Sequence, residues 1–135
     1  MSEVNFSDPQ DVENAFYKAF ETSDLDAMMQ VWLDGDYVEC IHPMGHRLMG
    51  PAAIRDSWQE IFSNNAEVEF TTIDTRRIEH KDLAIHIVNE NLLVNGNKHV
   101  QILATNIYEN TPNGWRMILH HASPAPQQDI PDTLH

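Results

Sequence analysis

The sequence predicts an α+β fold in which three helices pack against a curved antiparallel sheet shaped as a cone or half-barrel. Apolar residues recur at helical spacing in three segments before residue 63. From residue 67 onward the apolar period changes to two, over four long segments that short turns connect. Short turns between long strands indicate an antiparallel meander. The predicted element order is α-α-β-β-α-β-β-β-β.

The first two helices have clear start signals. Asp8 is the predicted N-cap of the first helix and Pro9 its first residue. The apolar stripe that follows consists of Val12, Ala15, Phe16, Ala19 and Phe20. Ser23 or Asp24 caps the second helix, which ends at the Asp-Gly-Asp stretch 34–36. Each helix therefore presents one apolar face to a core.

Two short strands, over 37–42 and 46–49, precede a third helix that Gly50 and Pro51 open. The four long strands are predicted over 67–79, 83–94, 99–109 and 115–123. Strands of this length twist and curl, so the sheet offers a concave face to the helices, with a pocket beside the first helix. Residues 1–124 form a single predicted domain, and residues 125–135 form a proline-rich C-terminal tail.

Composition excludes several classes of function. The chain of 135 residues has 8 Lys and Arg against 21 Asp and Glu, a formal charge of −13. This charge opposes binding to nucleic acid and to anionic membranes. No apolar run is long enough for a bilayer span, and the single cysteine, Cys40, permits no internal disulfide. We therefore expect a cytoplasmic protein without nucleic acid or membrane partners.

Four local motifs, which lie between residues 23 and 124, can be compared with known families. They are "SDLDAMMQVW" after the first helix, "HPMG" after the first strand, "GPAAIRDSW" at the third helix and "GWRMILHHASP" as the last strand. Together they resemble the nuclear transport factor 2-like superfamily, and within it the SnoaL-like and ketosteroid-isomerase-like proteins. The resemblance implies a cone-shaped fold with an internal pocket. It implies no particular reaction, because this fold hosts many unrelated activities.

The resemblance to ketosteroid isomerases implies three site positions. That family places an aspartate base before a proline at the end of the first strand, where "HPMG" has His42. The family's tyrosine donor on the first helix matches Phe16, and its protonated aspartate on the penultimate strand matches Thr105. Phe16 cannot donate a hydrogen bond and Thr105 donates only weakly, so steroid isomerisation is not expected here. The pocket can be inherited without that reaction.

His42 and His46 flank the turn of the predicted short hairpin, and two geometries are open. A two-residue turn directs the two rings to different sides, whereas a three-residue loop over 43–45 sets them opposite each other. Only the second geometry can chelate a metal, and no further ligand has diagnostic spacing, so we predict no metal site. His42 can serve as a pocket acid or base, because imidazole titrates near neutral pH. The alternative is a ring hydrogen-bonded to backbone at the mouth of the cone.

Aromatic residues and other histidines complete the predicted pocket. Trp32 and Trp58 are core residues by their apolar stripes, and each can also supply an indole N–H at a pocket wall. Because strand residues alternate between faces, only one of His120 and His121 can point inward, and we assign His121 to the pocket. The predicted pocket around His42 consists of Phe16, Trp32, His46, Trp58, Thr105 and His121.

Several polar residues interrupt the long apolar strands, namely Asn89, Asn91, Gln101 and Asn106. Buried amides need hydrogen-bond partners. These residues therefore line either a wet pocket or an outer, interfacial face, and the alternation does not decide between the two. Tyr17 and Tyr108 present the same two alternatives, of which a position at the surface or an interface is the simpler.

The functional prediction is a protein that binds a small, largely apolar organic molecule in its cavity and uses no cofactor. As an enzyme it would be a cofactor-independent isomerase, cyclase or dehydratase, with His42 as the acid and base. The alternative is a non-catalytic association module. A homodimer through the sheet face is expected in either case, because apolar residues occur on both faces of the predicted sheet.

Overall fold

The computed structural model describes residues 4–126, which form three helices against one curved, unclosed sheet of six strands. The helices are α1 (Pro9–Thr22), α2 (Leu25–Val31) and α3 (Pro51–Ser63). The strands are β1 (Glu39–Ile41), β2 (Arg47–Met49), β3 (Val68–Glu79), β4 (Leu83–Val94), β5 (Lys98–Thr111) and β6 (Gly114–Pro124). The predicted α+β class and element order are confirmed. Most of the predicted tail, from residue 127 on, lies outside the described residues.

The starts of the helices follow the capping residues in the sequence. A side-chain oxygen of Asp8 accepts the backbone N–H of Asp11 at 2.9 Å, and Pro9 is the first residue of α1. Asp24 caps α2 in the same way, since its side chain accepts the N–H of Ala27 at 3.0 Å. Each bond satisfies a backbone donor that the helix itself leaves unpaired.

The strands are ordered β2-β1-β6-β5-β4-β3. Neighbours in the long meander are antiparallel, as predicted, but β1 pairs with β6 in parallel and thereby joins the short hairpin to the meander. Both short strands have three residues, fewer than the sequence suggested. Within residues 4–126 no helix has the length and apolar character of a membrane span.

The two faces of the sheet carry different side chains. The inner face turns toward the helices, and one of its rows, read across neighbouring strands, is Arg77, His86, Asn106 and His120. A matching row on the outer face is Ile78, Ile85, Ile107 and Leu119. In β6 the register shifts by one residue at Ile118. Because of this bulge, His120 points inward although it lies three positions after the inward Met117.

The core of the domain lies between α1 and the inner face. Phe16 is fully buried there and packs edge-on against the rings of Tyr17 and Trp58. Val12 and Ala19 extend the same face of α1 into the core. The apolar stripe of α1 thus fills the concave side of the sheet. Polar side chains of β4, β5 and β6 that point to this side are therefore buried.

Candidate functional site

An aromatic cluster centred on Trp58 occupies the interior of the cone. Trp58 is fully buried, and its ring lies 4.8 Å from those of His42 and Phe20 and 5.6 Å from those of Phe16 and Phe62, between centroids. The ring of His120 lies 6.4 Å from that of Trp58. Two histidines therefore flank one tryptophan in surroundings that are otherwise almost entirely apolar.

His42 is half-buried at the end of β1, and its hydrogen bonds define its tautomer. Its Nε2 lies 3.0 Å from Oγ of Ser57, and the hydroxyl of Ser57 donates to the backbone carbonyl of Ile54 at 2.7 Å. Because a hydroxyl has one proton, Ser57 must accept at its oxygen, so Nε2 of His42 carries the hydrogen. The lone pair of His42 is then on Nδ1, for which no described residue is a hydrogen-bond partner.

Burial lowers the pKa of His42 below its ordinary value, so the neutral ring is favoured at neutral pH. The thiol of Cys40 lies 3.7 Å from Nε2 of His42, and burial raises the pKa of Cys40 to about 12. A thiol with that pKa is protonated and is not a nucleophile at neutral pH. His42 is therefore the group beside Trp58 that is able to take up a proton.

A chain of four buried polar side chains lies next to the aromatic cluster. Nδ1 of His120 is 2.6 Å from Oδ1 of Asn106, Nδ2 of Asn106 donates to the Tyr17 hydroxyl at 3.1 Å, and that hydroxyl donates to Oε2 of Glu90 at 2.5 Å. Burial, together with the charges of His42 and His121, lowers the pKa of His120 to about 3. Burial raises the pKa of Glu90 to about 7. The inner face thus holds a neutral histidine and a carboxyl that titrates near neutrality.

A second polar cluster surrounds His86, which is fully buried in β4. Its Nδ1 lies 2.8 Å from Oε1 of Glu13, and its Nε2 lies 2.9 Å from Oε2 of Glu79. Burial disfavours the charged ring, but the bonds to the two carboxylates outweigh burial and raise the pKa of His86. Because each ring nitrogen faces a carboxylate oxygen, the imidazolium form fits this site best.

The same cluster contains the group of three side chains, within residues 4–126, that could hold a metal ion. Oxygen atoms of Glu13 and Asp74 and a ring nitrogen of His86 lie within 4.8 Å of one another. The ring nitrogens of His86 are already bonded to carboxylates, and Arg77 donates to Asp74 at 2.9 Å. His86 and Arg77 thus each pair with carboxylates of the cluster, so the arrangement is explained as a salt-bridge cluster. The group does not include His42 or His46.

Two indole N–H groups are buried without any acceptor among the described residues, those of Trp32 and Trp58. Trp32 lines a cleft of about 370 Å³ between α2 and α3, together with Met29, Leu33, Asp34, Pro51, Ala52 and Arg55. Trp58 lies instead in the aromatic cluster of the cone. An unpaired buried donor costs free energy. A hydrogen-bond acceptor that reached the indole N–H of Trp32 or of Trp58 would remove this cost.

The mouth of the cone carries two neighbouring clefts that share Glu21. One, of about 460 Å³, is lined by Phe62 and by residues around Val68, and the other, of about 390 Å³, is lined by Tyr17 and Phe70. The rings of Phe62 and Phe70 both contact Phe20, which in turn contacts Trp58. A layer of half-buried phenylalanines therefore separates these clefts from the aromatic cluster.

The structure brings together some of the predicted pocket residues and separates others. Phe16, Trp58 and His42 lie in the aromatic cluster. Trp32 lines the separate cleft between α2 and α3. His46 is exposed beyond the turn that follows His42, where it faces solvent.

Thr105 and His121, both predicted for the pocket, lie on the outer face. They are cross-strand neighbours there, whereas the pair Asn106 and His120 occupies the inner face. Placing His121 inside was wrong. The bulge at Ile118 shifts the alternation of β6 by one residue, so that His120 and not His121 shares the inner face with Met117. Thr105 was placed inside by analogy, and the β5 register gives that position to Asn106.

The register of β1 and β2, with Ile41 opposite Arg47, is that of the three-residue loop over 43–45, one of the two geometries that the sequence left open. The N–H of Gly45 donates to the carbonyl of His42 at 2.8 Å, which closes a four-residue turn, and the left-handed residue is Met44, with φ of 64°. A Cβ on Gly45 would stand 3.1 Å from the His42 carbonyl oxygen, so Gly45 permits the close approach within this turn.

Sequence reasoning missed most of the buried polar residues. Tyr17 and Tyr108 are buried rather than at a surface, and Glu13, His86 and Glu90 were not considered. A signal was available in β4, where His86 and Glu90 share one face with the apolar Ala84 and Val88. Their partners Glu13 and Tyr17 are more than 70 positions away in sequence. Such long-range pairs have no local signature.

The fold and the buried site define a cone-shaped α+β protein with a polar, histidine-containing interior. Residues 10–127 match the profile of the SnoaL-like domain. The chain therefore belongs to the SnoaL-like domain family, within the nuclear transport factor 2-like superfamily.

Two solved structures and one curated protein are similar along most of this chain. A Thiobacillus denitrificans structure, provisionally named as a calcium/calmodulin-dependent protein kinase type II association domain, is 40% identical with a TM-score of 0.88, covering 92% of this chain and 100% of that one. A Streptomyces avermitilis structure, provisionally named as a dehydratase of the NTF2-like family, is 30% identical with a TM-score of 0.78, covering 86% and 92%. The F-box protein SKIP8 of Arabidopsis thaliana is 31% identical over 112 residues, 83% of this chain but only 47% of that protein.

Proposed function

We propose that the protein binds a small, largely apolar organic molecule beside Trp58 and that His42 transfers a proton to and from it. The observation that carries this proposal is the unpaired indole N–H of Trp58, which is buried between two neutral histidines. A ligand with one polar oxygen can accept this hydrogen bond while its apolar body packs against the surrounding rings.

Access to this position is proposed through the mouth of the cone. The two clefts there are of the size usual for small-molecule sites, and only the layer of Phe20, Phe62 and Phe70 separates them from Trp58. These three side chains are half-buried, unlike Phe16 and Trp58. Rotation of these rings would extend the clefts inward.

The chemistry within reach is proton transfer next to a carbonyl group. Nδ1 of His42 takes a proton from the carbon beside the carbonyl, and the electron pair moves to the carbonyl oxygen, which accepts a hydrogen bond from the Trp58 indole. Return of the proton from His42 to another carbon completes an isomerisation. A dehydration is completed instead when a hydroxyl on the next carbon leaves as water, with the proton that His42 holds. Burial keeps the pKa of His42 below its ordinary value, so the base form is available at neutral pH.

The test uses 2-tetralone, a bicyclic ketone with exchangeable hydrogens beside its carbonyl. In deuterium oxide, we expect the wild-type protein to accelerate exchange at those positions, and His42→Gln to lose about a hundredfold or more of that acceleration. His46→Gln is the matched control, because His46 is exposed and belongs to the same turn. Exchange no faster than in buffer, or equal rates for wild type and His42→Gln, would overturn the catalytic proposal.

A second candidate function is association of two copies through the outer face of the sheet. The specific observation is the apolar outer surface: Ile73 is 57% exposed and Leu103 37% exposed, on either side of Asn89 in one row. The 40% identical structure named as an association domain supports this use. In light scattering, Leu103→Glu should convert a dimer to a monomer, while Met44→Glu, at an exposed residue of the turn after β1, should not.

A further inference from the structure

When Glu90 is ionised, the buried polar chain that ends at His120 has a single direction of donation. Glu90 lies at its far end, where its carboxylate accepts the Tyr17 hydroxyl at 2.5 Å. The oxygen of Tyr17 is then free to accept from Nδ2 of Asn106 at 3.1 Å. Since that amide nitrogen can only donate, the orientation of Asn106 follows from its contact with Tyr17.

The orientation of Asn106 in turn assigns the tautomer of His120. With Nδ2 turned to Tyr17, the atom that Asn106 presents to His120 is its carbonyl oxygen, 2.6 Å from Nδ1. That oxygen can only accept, so Nδ1 of His120 carries the hydrogen and Nε2 carries the lone pair. No described residue hydrogen-bonds to Nε2. The ring is 2% exposed and neutral, because burial lowers its pKa to about 3.

The aromatic cluster therefore contains an acceptor and a donor that make no hydrogen bond to a described residue, and of the two only the indole nitrogen is fully buried. The acceptor is Nε2 of His120, and the donor is the Nε1–H of Trp58, which cannot accept. Their rings lie 6.4 Å apart between centroids and are inclined at 44°. A carbonyl oxygen satisfies only the indole, and an ammonium group satisfies only the imidazole at a large cost of burial. A hydroxyl group satisfies both, since it has one hydrogen to donate and lone pairs to accept.

We infer that the molecule bound beside Trp58 carries a hydroxyl group, as an alcohol or as the enol of a ketone, which donates to Nε2 of His120 and accepts from Nε1–H of Trp58. This inference rests on the proposed interior binding site and names the chemical class of its ligand. Asn106 is then a positioning residue: it holds His120 in the accepting tautomer and touches no ligand itself.

The tautomer can be measured without any ligand. Long-range proton–nitrogen NMR spectra of ¹⁵N-labelled protein report which ring nitrogen of each histidine carries the hydrogen. We expect a protonated Nδ1 and an unprotonated Nε2 for His120 in the wild type, and loss of that preference in Asn106→Leu. Thr105→Val is the matched control, because Thr105 is the neighbour of Asn106 on the outer face. A hydrogen on Nε2 of wild-type His120 would overturn the inference and leave the proposed site untouched.

The ligand class is tested with three bicyclic probes of similar size. 2-Naphthol can donate and accept, 2-methoxynaphthalene can only accept, and 2-methylnaphthalene can do neither. From the net strength of one neutral hydrogen bond we expect 2-naphthol to bind about tenfold more tightly than the methoxy probe, as measured by tryptophan fluorescence. Equal affinities for all three would overturn the hydroxyl assignment alone. Failure of all three to bind would overturn the interior site and, with it, this inference.

Discussion

Nδ1 of His120 and Oδ1 of Asn106 are 2.6 Å apart, and both side chains are buried on the inner face of the sheet. The two residues are direct cross-strand neighbours in β6 and β5. Through Tyr17, this pair also connects the sheet to α1. The amide of Asn106 and the hydroxyl of Tyr17 therefore link a neutral histidine in the aromatic cluster to the buried carboxyl group of Glu90.

Replacing Asn106 with leucine should destabilise the protein by about 2 kcal/mol or more. Leucine has nearly the same shape but leaves the N–H of His120 without an acceptor and removes a donor to Tyr17, and unpaired buried groups of this kind cost about 1–3 kcal/mol each. Chemical denaturation measures the loss. A change of less than about 0.5 kcal/mol, matching that of Thr105→Val on the outer face, would mean that the bond contributes nothing net.

Glu90 makes stability fall as the pH rises. Burial raises the pKa of Glu90 to about 7, so between its unfolded value and pH 7 the folded protein holds a proton that the unfolded chain has released. Glu90→Gln removes this titration and keeps an acceptor for Tyr17. The free energy of unfolding of wild type relative to Glu90→Gln should therefore decrease from pH 4.5 to pH 8. If the difference in the free energy of unfolding between wild type and Glu90→Gln did not change with pH, burial would not raise the pKa of Glu90.

His86 should contribute to stability in its charged, protonated form. Its pKa is raised by Glu13 and Glu79, so its contribution is complete below the unfolded value near 6.5 and is lost as the pH rises through the folded value. At pH 6 we expect His86→Phe to cost about 3–5 kcal/mol, because Glu13 then stays buried without its cation. The exposed His121→Ala should change stability by less than about 0.5 kcal/mol. A cost that increases with pH would contradict the imidazolium assignment.

Ser57 should control the tautomer of His42. Its hydroxyl is committed to the carbonyl of Ile54 and therefore accepts the hydrogen on Nε2 of the imidazole. In Ser57→Ala, NMR of the ring nitrogens should show a mixture of tautomers and exchange of 2-tetralone should slow. Ser63→Ala is the control. The hydroxyl of Ser63, the last residue of α3, donates to the backbone carbonyl of Glu60 in the same way, and Ser63 touches no histidine. An unchanged His42 spectrum in Ser57→Ala would exclude this positioning role.

Much of the architecture could be predicted because its signals are local. Asp8 and Pro9 mark the start of α1, and the change of apolar period after α3 marks the start of the meander. The parallel pairing of β1 with β6 was not predictable in this way, because it joins residues that are 80 positions apart, such as Cys40 and His120. Three-residue strands carry too little alternation to specify a partner.

The candidate site could be predicted only in part, for physical reasons that specific residues show. His42, Phe16 and Trp58 were placed by motif and helical periodicity, which are local properties. The inward positions on β5 and β6 were not, because both faces of β5 carry apolar and polar residues and the bulge at Ile118 shifts the alternation of β6 by one residue. Glu90 and Tyr17 satisfy each other across 73 positions, so neither residue alone indicates burial.

The most direct test of the interior site is to observe which tryptophan responds to a bound probe. The indole N–H resonances of Trp32, Trp58 and Trp115 can be assigned by the signal lost in each Trp→Phe variant. On addition of 2-naphthol, we expect a large shift of the Trp58 resonance and little change in the other two. A response of Trp32 alone would move the binding site to the cleft between α2 and α3, and no response from any tryptophan at saturation would contradict a ligand site beside Trp58.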